Sequence, residues 1–245
     1  MKNKHNKHLT AIIQVYVAIL SITAVVFFFD FYFLSIALVL GWIMQGVSLE
    51  AIMHRKYAHN QYRYKNKFVE ILAYGLLLSS GIGRPWDWAY GHRIHHSYTD
   101  EPSDPQSPYS IGHLKVFLSA FGSKVKPNDK QLPNMSDLDD YGKRFLIFNN
   151  NYYLFYVLYN LFWFIIDPAF ALYIIGIPSV FAWISLGVIN VFSHLEYKNP
   201  RDLPLPIWFW GSNYHQTHHN EPRRTNLGKF DLSYYVIKLI GIENK

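Results

Sequence analysis

The stretch "AYGHRIHHSYTDEPSDPQSP", residues 89–108, carries three histidines in the pattern H-x-x-H-H. The same spacing returns in "NYHQTHHNEP", residues 213–222. A looser pair lies in "HRKYAH", residues 54–59, and one more histidine ends "NVFSH", residues 190–194. These segments hold nine of the twelve histidines, namely His54, His59, His92, His95, His96, His194, His215, His218 and His219. The repeated spacing indicates a shared role for them.

Charged side chains are nearly absent from two long blocks of the chain. Only Asp30 is acidic or basic between residues 9 and 49, and only Asp167 between residues 145 and 193. A helix needs about 20 mainly apolar residues to cross a bilayer, so each block is long enough for two crossings. We therefore predict an all-α integral membrane protein with four transmembrane helices in two hairpins.

Acidic and proline residues predict where the hairpins turn. The first turns near Asp30, and the second turns either at Asp167-Pro168 or at Gly176-Ile177-Pro178, because proline interrupts helices. All 23 Lys and Arg lie in the N-terminal tail, in residues 54–144 or in residues 198–245. Loops rich in these residues stay cytoplasmic. Both termini and the middle segment are thus predicted on the cytoplasmic side.

We interpret residues 1–245 as a single membrane domain. Its predicted parts are a first hairpin at 9–49, a cytosolic segment at 54–144, a second hairpin at 145–193 and a cytosolic C-terminal segment at 194–245. All four histidine segments are predicted to fall on the cytosolic side of the bilayer. The chain has no interleaved basic and aromatic patch, so nucleic acid is not expected as a partner.

Helical geometry gives the histidine spacing a meaning. Residues three or four positions apart share one face of a helix, so His92 can align with His95 or with His96. Consecutive residues diverge by about 100° around the helix, so each H-x-x-H-H box can offer ligands to two metals. Asn190 and His194 are four positions apart and also share a face.

The number of imidazoles indicates two metals rather than one, because nine imidazoles allow four or five ligands each. His54 and His59 are five positions apart, which does not align them on a straight helix and predicts a bend after the second span. Imidazole binds zinc, copper, iron and nickel, so the ligand type leaves the metal open. The chain contains no cysteine, which excludes thiolate ligands. His113 stands alone and is expected at the surface.

Together these motifs resemble those of the membrane fatty acyl desaturases, most closely the delta-9, stearoyl-CoA-desaturase-like branch. "HRKYAH" resembles the first histidine box of that family, and "WAYGHRIHHSYTDEPSDPQSP" resembles the second. "NVFSH" is similar to the N-x-x-x-H motif of the branch, and "HQTHH" to the third box. The resemblance covers about residues 10–235.

The resemblance implies a four-helix membrane stem with a cytosolic cap that holds a di-iron centre. It implies O2-dependent insertion of a cis double bond into a saturated acyl chain, with no catalytic residue beyond the metal centre. On the family pattern, one iron would be held by His54, His59, His92, His96 and His219. The other would be held by His95, His194, His215 and His218, with Asn190 acting through water.

The resemblance also implies partners. Two electrons would come from a carrier such as ferredoxin, rubredoxin or cytochrome b5, because the chain has no G-x-G-x-x-G dinucleotide motif. The acyl chain could be attached to CoA, to acyl carrier protein or to a lipid. The expected location is the lipid bilayer, with the active site on the cytoplasmic side, and a bacterial inner membrane suits the chain.

Further residues near the boxes are candidates for supporting roles. Ligating histidines commonly donate their second N–H to a carboxylate, and the nearby acidic residues are Asp100, Glu101, Asp104, Glu196 and Glu221. These residues could instead simply face water. Four aromatic residues could line the path of the acyl chain or lie at the membrane interface, namely Trp86, Trp88, Tyr90 and Tyr98.

The chain departs from the family pattern beside the third box and after Asn190. Residues 211–214 read "GSNY" where the family usually has G-E-G-x, Gln216 replaces the usual Asn, and Val191 replaces the usual Ser. The histidines are untouched, so the departures bear on the substrate head group and on the carbon attacked.

Two other functions stay open at this point. A hydroxylase or related oxygenase could use the same scaffold on a lipid or an alkane, although the N-x-x-x-H motif and the second-box context favour desaturation. A metal transporter or metal-binding membrane protein would place its polar ligands within the spans, near the bilayer midplane. The histidine boxes instead lie outside the predicted spans.

Overall fold

The computed structural model describes residues 7–118 and 133–244, and these are mostly helical. In chain order the elements are α1 (Lys7–Phe27), α2 (Phe31–Met44), a π-helical segment (Gln45–Ala58), β1 (Tyr62–Tyr64), α3 (Lys67–Ser80), α4 (Pro85–Ser97), α5 (Pro108–Ile111), α6 (His113–Phe117), α7 (Ser136–Asp139), α8 (Lys143–Asn150), α9 (Tyr152–Ile166), α10 (Pro168–Phe192), α11 (Pro206–Phe209), α12 (His215–Asn220), α13 (Leu232–Ile240) and β2 (Gly241–Glu243).

Within residues 7–118 and 133–244, three helices are long and apolar enough to cross a membrane, at Leu9–Phe27, Phe31–Ala58 and Pro168–Phe192. The fourth predicted crossing corresponds to α9, which is apolar but spans only 15 residues. Three consecutive asparagines at 149–151 separate α9 from α8 and so shorten the apolar run. The structure therefore supports three of the four predicted crossings by length and composition.

Both hairpin turns lie at an acidic residue that caps the following helix. Asp30 accepts a hydrogen bond from the N–H of Phe33 at 2.8 Å, and Asp167 accepts one from the N–H of Phe170 at 3.0 Å. Such side-chain acceptors satisfy N–H groups that lack partners at a helix start. The second turn is therefore at Asp167-Pro168, and the alternative at 176–178 lies inside α10.

The two hairpins are joined by Tyr173 on α10. Its hydroxyl donates to the carbonyl of Phe28 at 2.7 Å and accepts from the N–H of Asp30 at 2.7 Å. These contacts satisfy backbone groups in the first turn. A buried polar group in an apolar setting is costly unless it is paired, so this contact fixes how α10 packs between α1 and α2.

The helix that begins as α2 continues without interruption as the π-helical segment. A π-helix bonds residue i to residue i+5, and the N–H of His59 donates to the carbonyl of His54 at 3.2 Å. Residues five apart therefore share a face here. The predicted bend after the second span is replaced by this wider helix, which brings the two rings to 4.9 Å between centroids.

The core around the π-helical segment holds it rigidly in place. Ile52, Met53 and Tyr57 are fully buried, and the ring of Tyr57 stacks on Phe145 of α8 at 5.0 Å. β1 pairs antiparallel with β2, which ties the end of the chain back to this segment. The scaffold that carries the first two histidines is thus packed on several sides.

The close approach of Trp210 to Gly46 gives a test of this packing. A methyl group added at Gly46 would collide with the indole of Trp210, whereas one added at Gly75 on α3 would meet nothing within 4 Å. We expect Gly46→Ala to lower the stability by about 1–3 kcal/mol through overpacking. Gly75→Ala should be neutral or stabilising by up to about 1 kcal/mol. Thermal unfolding in detergent measures both, and equal melting temperatures for the two variants would contradict the packing.

Candidate metal centre

The nine histidines of the four sequence segments meet in two groups. The first group contains His54, His59, His92, His96 and His218. The second contains His95, His194, His215 and His219. Within each group the ligating atoms lie within 4.8 Å of one another, and each group could hold a metal ion. Residues that are 165 positions apart along the chain therefore form one local structure.

Three elements supply the first group. The π-helical segment and the residue after it provide His54 and His59, α4 provides His92 and His96, and α12 provides His218. Their Nε2 atoms converge: His92 and His59 lie 2.9 Å apart, His54 and His218 2.8 Å, and His218 and His96 2.9 Å. The rings meet mostly edge to face, which aims the nitrogens at a common point.

The second group uses a different face of α4 and α12 together with the end of α10. His95 lies on α4, His194 follows α10, and His215 and His219 are one turn apart on α12. The Nε2 atoms of His194 and His215 are 2.8 Å apart, and those of His95 and His219 are 3.2 Å apart. Each H-x-x-H-H box thus contributes to both groups, as the helical spacing predicts.

The partition of the third box differs from the one implied by the resemblance. The resemblance assigns His219 to the group of His54 and His218 to the other, and the structure reverses these two. Helical spacing allows His215 to share a face of α12 with either His218 or His219. The orientation of α12 against α4 decides between them and turns His219 toward the second group. The other seven histidines lie in the groups predicted for them.

Asn190 is buried on α10, one helical turn before His194. It lines a cavity together with His54, His92 and His215, which belong to both histidine groups. The cavity also has apolar walls from Leu186 and Ile189. Asn190 is therefore adjacent to the histidines, and its role as a ligand through water stays a prediction.

Two of the five candidate acidic residues contact histidines. Asp104 accepts a hydrogen bond from Nδ1 of His95 at 2.8 Å, and Asp100 accepts one from Nδ1 of His194 at 3.3 Å. Both carboxylates are held in turn, since Asp104 accepts from the N–H of Asp100 at 2.9 Å and Asp100 accepts from the hydroxyl of Ser107 at 2.8 Å. Such contacts fix the tautomer and leave Nε2 free to bind a metal.

The other three acidic candidates pair elsewhere, which corrects the expectation that they support the histidines. Glu101 pairs with Lys198 at 2.7 Å, Glu196 accepts from Asn199 at 2.7 Å, and Glu221 pairs with Arg224 at 3.3 Å. All of these residues lie on the surface, where water competes for the charges. Nearness along the sequence did not bring them to the histidine rings.

Sequence reasoning missed Glu50 and Gln106. Glu50 lies one position past the first apolar block, and its Oε2 accepts from Nδ1 of His54 at 2.8 Å. Gln106 lies 3.3 Å from Nδ1 of His92. The spacing of Glu50 and His54, four positions apart on one helix, was the available signal.

Of the four aromatic candidates, Trp88 lies at the histidines. Its ring stacks on His92 at 4.7 Å, meets His54 edge to face at 5.8 Å, and lines the cavity. Trp86 and Tyr90 stack on each other at 5.3 Å, and Tyr98 caps the end of α4. The structure therefore places one of the four against the histidine rings.

The electrostatics of the two groups favour metal binding. Burial, followed by the neighbouring imidazoles, lowers the pKa of His59, His92, His96, His215, His218 and His219. These rings are consequently neutral near pH 7. Neutral imidazole is the form that binds a metal, so the site does not have to release protons from these rings before loading.

The chain was compared with known proteins. The family model for fatty acid desaturases matches residues 29–229. Delta-9 acyl-lipid desaturase 1 of Arabidopsis thaliana is 25% identical over 235 residues, covering 85% of this chain and 72% of the relative. The sn-2 palmitoyl-lipid 9-desaturase of Nostoc sp. (strain 36) is 25% identical over 241 residues, covering 87% and 80% respectively.

Asp104 and Glu101 offer a matched test of the histidine supports. Asp104 is fully buried against His95, whereas Glu101 forms a surface pair three positions earlier. We expect Asp104→Asn to weaken metal binding about 10–100-fold, the usual effect of losing such a partner. Glu101→Gln should leave it unchanged. Metal content after dialysis against a chelator measures both, and equal retention in the two variants would contradict the assignment of Asp104.

Proposed function

Because the chain belongs to the fatty acid desaturase family, we propose that it introduces a cis double bond of the delta-9 type into a saturated acyl chain, using O2. It is an oxidoreductase that acts as a fatty acid desaturase. The observation that carries the proposal is the meeting of nine histidines in two groups beside helices long enough to cross a membrane.

We assign one iron to each histidine group. The fit rests on the donor set, since each group presents four or five imidazole nitrogens within 4.8 Å of one another. A catalytic zinc usually takes three protein ligands, so these groups offer more than zinc requires. When bound, the iron pair would supply the oxidising power that, with O2 and two electrons, removes two hydrogens from adjacent methylenes.

Residues of the chain would orient the histidine rings and shield them on one side. Asp100, Asp104 and Glu50 each hold one histidine by its Nδ1 and so direct Nε2 inward. Asn190 would act through water. The cavity beside it has about 30 Å³ open to a water-sized sphere, enough for at least one water molecule. Trp88 covers the rings of His92 and His54 from one side.

The lining of the cavity suits an apolar substrate, although the cavity would have to widen beyond its volume of about 30 Å³ before an acyl chain could enter. Leu49, Leu186 and Ile189 line it together with Trp88 and histidines of both groups. Methylenes offer no polar group to recognise, so we propose that the position of the double bond is set by how far the chain enters. The acyl carrier would be a lipid, CoA or acyl carrier protein, and the acyl-lipid desaturases among the relatives favour a lipid.

We propose that residues 1–245 form one domain with four crossings, α9 being the fourth, and a cytosolic helical cap that carries the histidines. At 15 residues, α9 is shorter than a usual span. Local thinning of the bilayer accommodates short spans. The basic loops support a cytoplasmic location for both termini and for the histidines. An external carrier such as ferredoxin, rubredoxin or cytochrome b5 would deliver the electrons there.

Expression in a desaturase-deficient host tests the function. Wild-type chain should produce a monounsaturated fatty acid, and His95→Ala should abolish it because His95 belongs to the second group. The matched control is His113→Ala. His113 is exposed at the start of α6, outside both groups, and its loss should leave the product unchanged. Gas chromatography of fatty acid methyl esters, with derivatisation to locate the double bond, reads out both.

A different product would redirect the proposal. A hydroxylated acyl chain, absent from the His95→Ala culture, would identify an oxygenase on the same scaffold. No new product from folded, iron-loaded protein with a supplied electron donor would contradict the acyl substrate class.

A further inference from the structure

Arg55, which immediately follows His54, is fully buried between two carboxylates. Its Nε donates to Oε1 of Glu50 at 2.8 Å, and its Nη1 donates to Oδ2 of Asp231 at 2.8 Å. Nη1 also donates to the carbonyl of Thr225 at 2.7 Å. The Arg55 and Asp231 side chains are both 0% exposed. A buried charge persists only when it is paired and hydrogen-bonded, so this arrangement is specific.

Glu50 connects that ion pair to the first histidine group. One carboxylate oxygen accepts from Arg55 and the other accepts from Nδ1 of His54. Nε2 of His54 then lies 2.8 Å from Nε2 of His218. A continuous chain of hydrogen bonds therefore runs from Asp231 at the start of α13, through Arg55 and Glu50, to His54 in the first histidine group.

Asp231 is fixed independently of Arg55. It caps α13 by accepting from the N–H of Tyr234 at 3.1 Å, and it accepts from the N–H of Leu227 at 2.9 Å. Gly211 packs against the ion pair so closely that an added methyl would collide with the carboxylate of Asp231. The carboxylate is therefore held in one position by backbone groups of the C-terminal segment.

The other supported histidines are organised differently. Besides its histidine contact, Asp104 accepts from backbone groups of its own loop, and Asp100 accepts from Ser107 of that loop and from the backbone N–H of Lys198 at 2.9 Å. Glu50 depends on Arg55, which depends on a residue 176 positions away. Without Asp231, the guanidinium of Arg55 would keep only one of its two carboxylate partners. Its contact with Glu50 would then no longer hold the Glu50 carboxylate in position against His54.

We propose that Arg55 and Asp231 are positioning residues that hold Glu50, and through it His54, in the geometry that binds the metal of the first group. The inference rests on the proposed function only in that the histidine groups bind metal. It gives Asp231, at the start of α13, a role in the metal site of the first group.

The test is Co²⁺ titration of the full-length, metal-free protein in detergent, followed by visible absorption. Asp231→Asn is the informative variant, because Asn caps helices as well as Asp does and so preserves α13. Arg55→Lys keeps the charge and removes the fork. Asp87→Asn is the control, because Asp87 also pairs with a buried arginine, Arg84 at 2.7 Å, away from the histidines. Melting temperatures are recorded for all variants.

We expect wild-type protein to bind two Co²⁺ ions, and Asp231→Asn and Arg55→Lys to weaken one of them about 10-fold or more. Combining each variant with His218→Ala, which removes a first-group histidine, or with His219→Ala, which removes a second-group histidine, identifies the weakened ion. In His219→Ala protein the first-group site remains, and Asp231→Asn should weaken its Co²⁺ affinity. In His218→Ala protein the second-group site remains, and Asp231→Asn should leave its Co²⁺ affinity unchanged. Asp87→Asn should lower the melting temperature while both affinities stay at the wild-type value.

Wild-type affinities at both sites in Asp231→Asn and Arg55→Lys would overturn the proposal, as would equal weakening of both sites. Co²⁺ binding does not require turnover, so the outcome is separable from the proposed function. Two bound ions without a double bond in the cell would contradict desaturation alone. Fewer than two bound ions in wild-type protein would contradict both.

Discussion

The structure depends on one constraint: nine imidazoles, six of them buried and three partly buried, converge with their nitrogens within 4.8 Å of one another in each group, and a bound metal would stabilise that arrangement. Neutral rings such as His92 and His218 present lone pairs to their neighbours at about hydrogen-bond distance. Burying polar groups without a partner is costly. One metal in each group would offset this cost by binding the ring nitrogens of that group. Metal binding to such a site is coupled to folding. The helices around the groups serve to hold these rings in place.

The π-helical segment is the local feature that this constraint requires most directly. On an ordinary helix, His54 and His59 would diverge, because five positions exceed one turn of 3.6 residues. The i→i+5 hydrogen bond brings them to one face. The same widening places Glu50 where it contacts both His54 and Arg55. A single change of helix type therefore aligns two histidines of the first group and their supporting network.

Much of the site could be predicted from the sequence. The repeated H-x-x-H-H spacing indicated two groups, because consecutive positions on a helix must point in different directions. Asp30 and Asp167 marked the hairpin turns, since each interrupts an apolar run and can cap a helix. These features are encoded locally. The residues that share a helix turn or a cap lie within a few positions of one another.

What could not be predicted depends on contacts between distant segments. The partition of His218 and His219 is set by how α12 faces α4, and the carboxylate of Asp231 reaches Arg55 only after the C-terminal segment folds back. Glu101 and Glu196 lie close to the boxes in sequence, yet their side chains point to surface partners. The fourth apolar helix is also shorter than predicted, because the asparagines at 149–151 precede it. Averaging the composition over the whole block 145–193 hid these three polar residues.

If each histidine group holds one iron, the metal content of the purified protein shows it most directly. Protein purified without added metal or chelator is analysed by inductively coupled plasma mass spectrometry, and the metal is expressed per chain. We expect two iron atoms per chain, one for each histidine group. A single metal per chain, or zinc at both sites, would contradict this assignment.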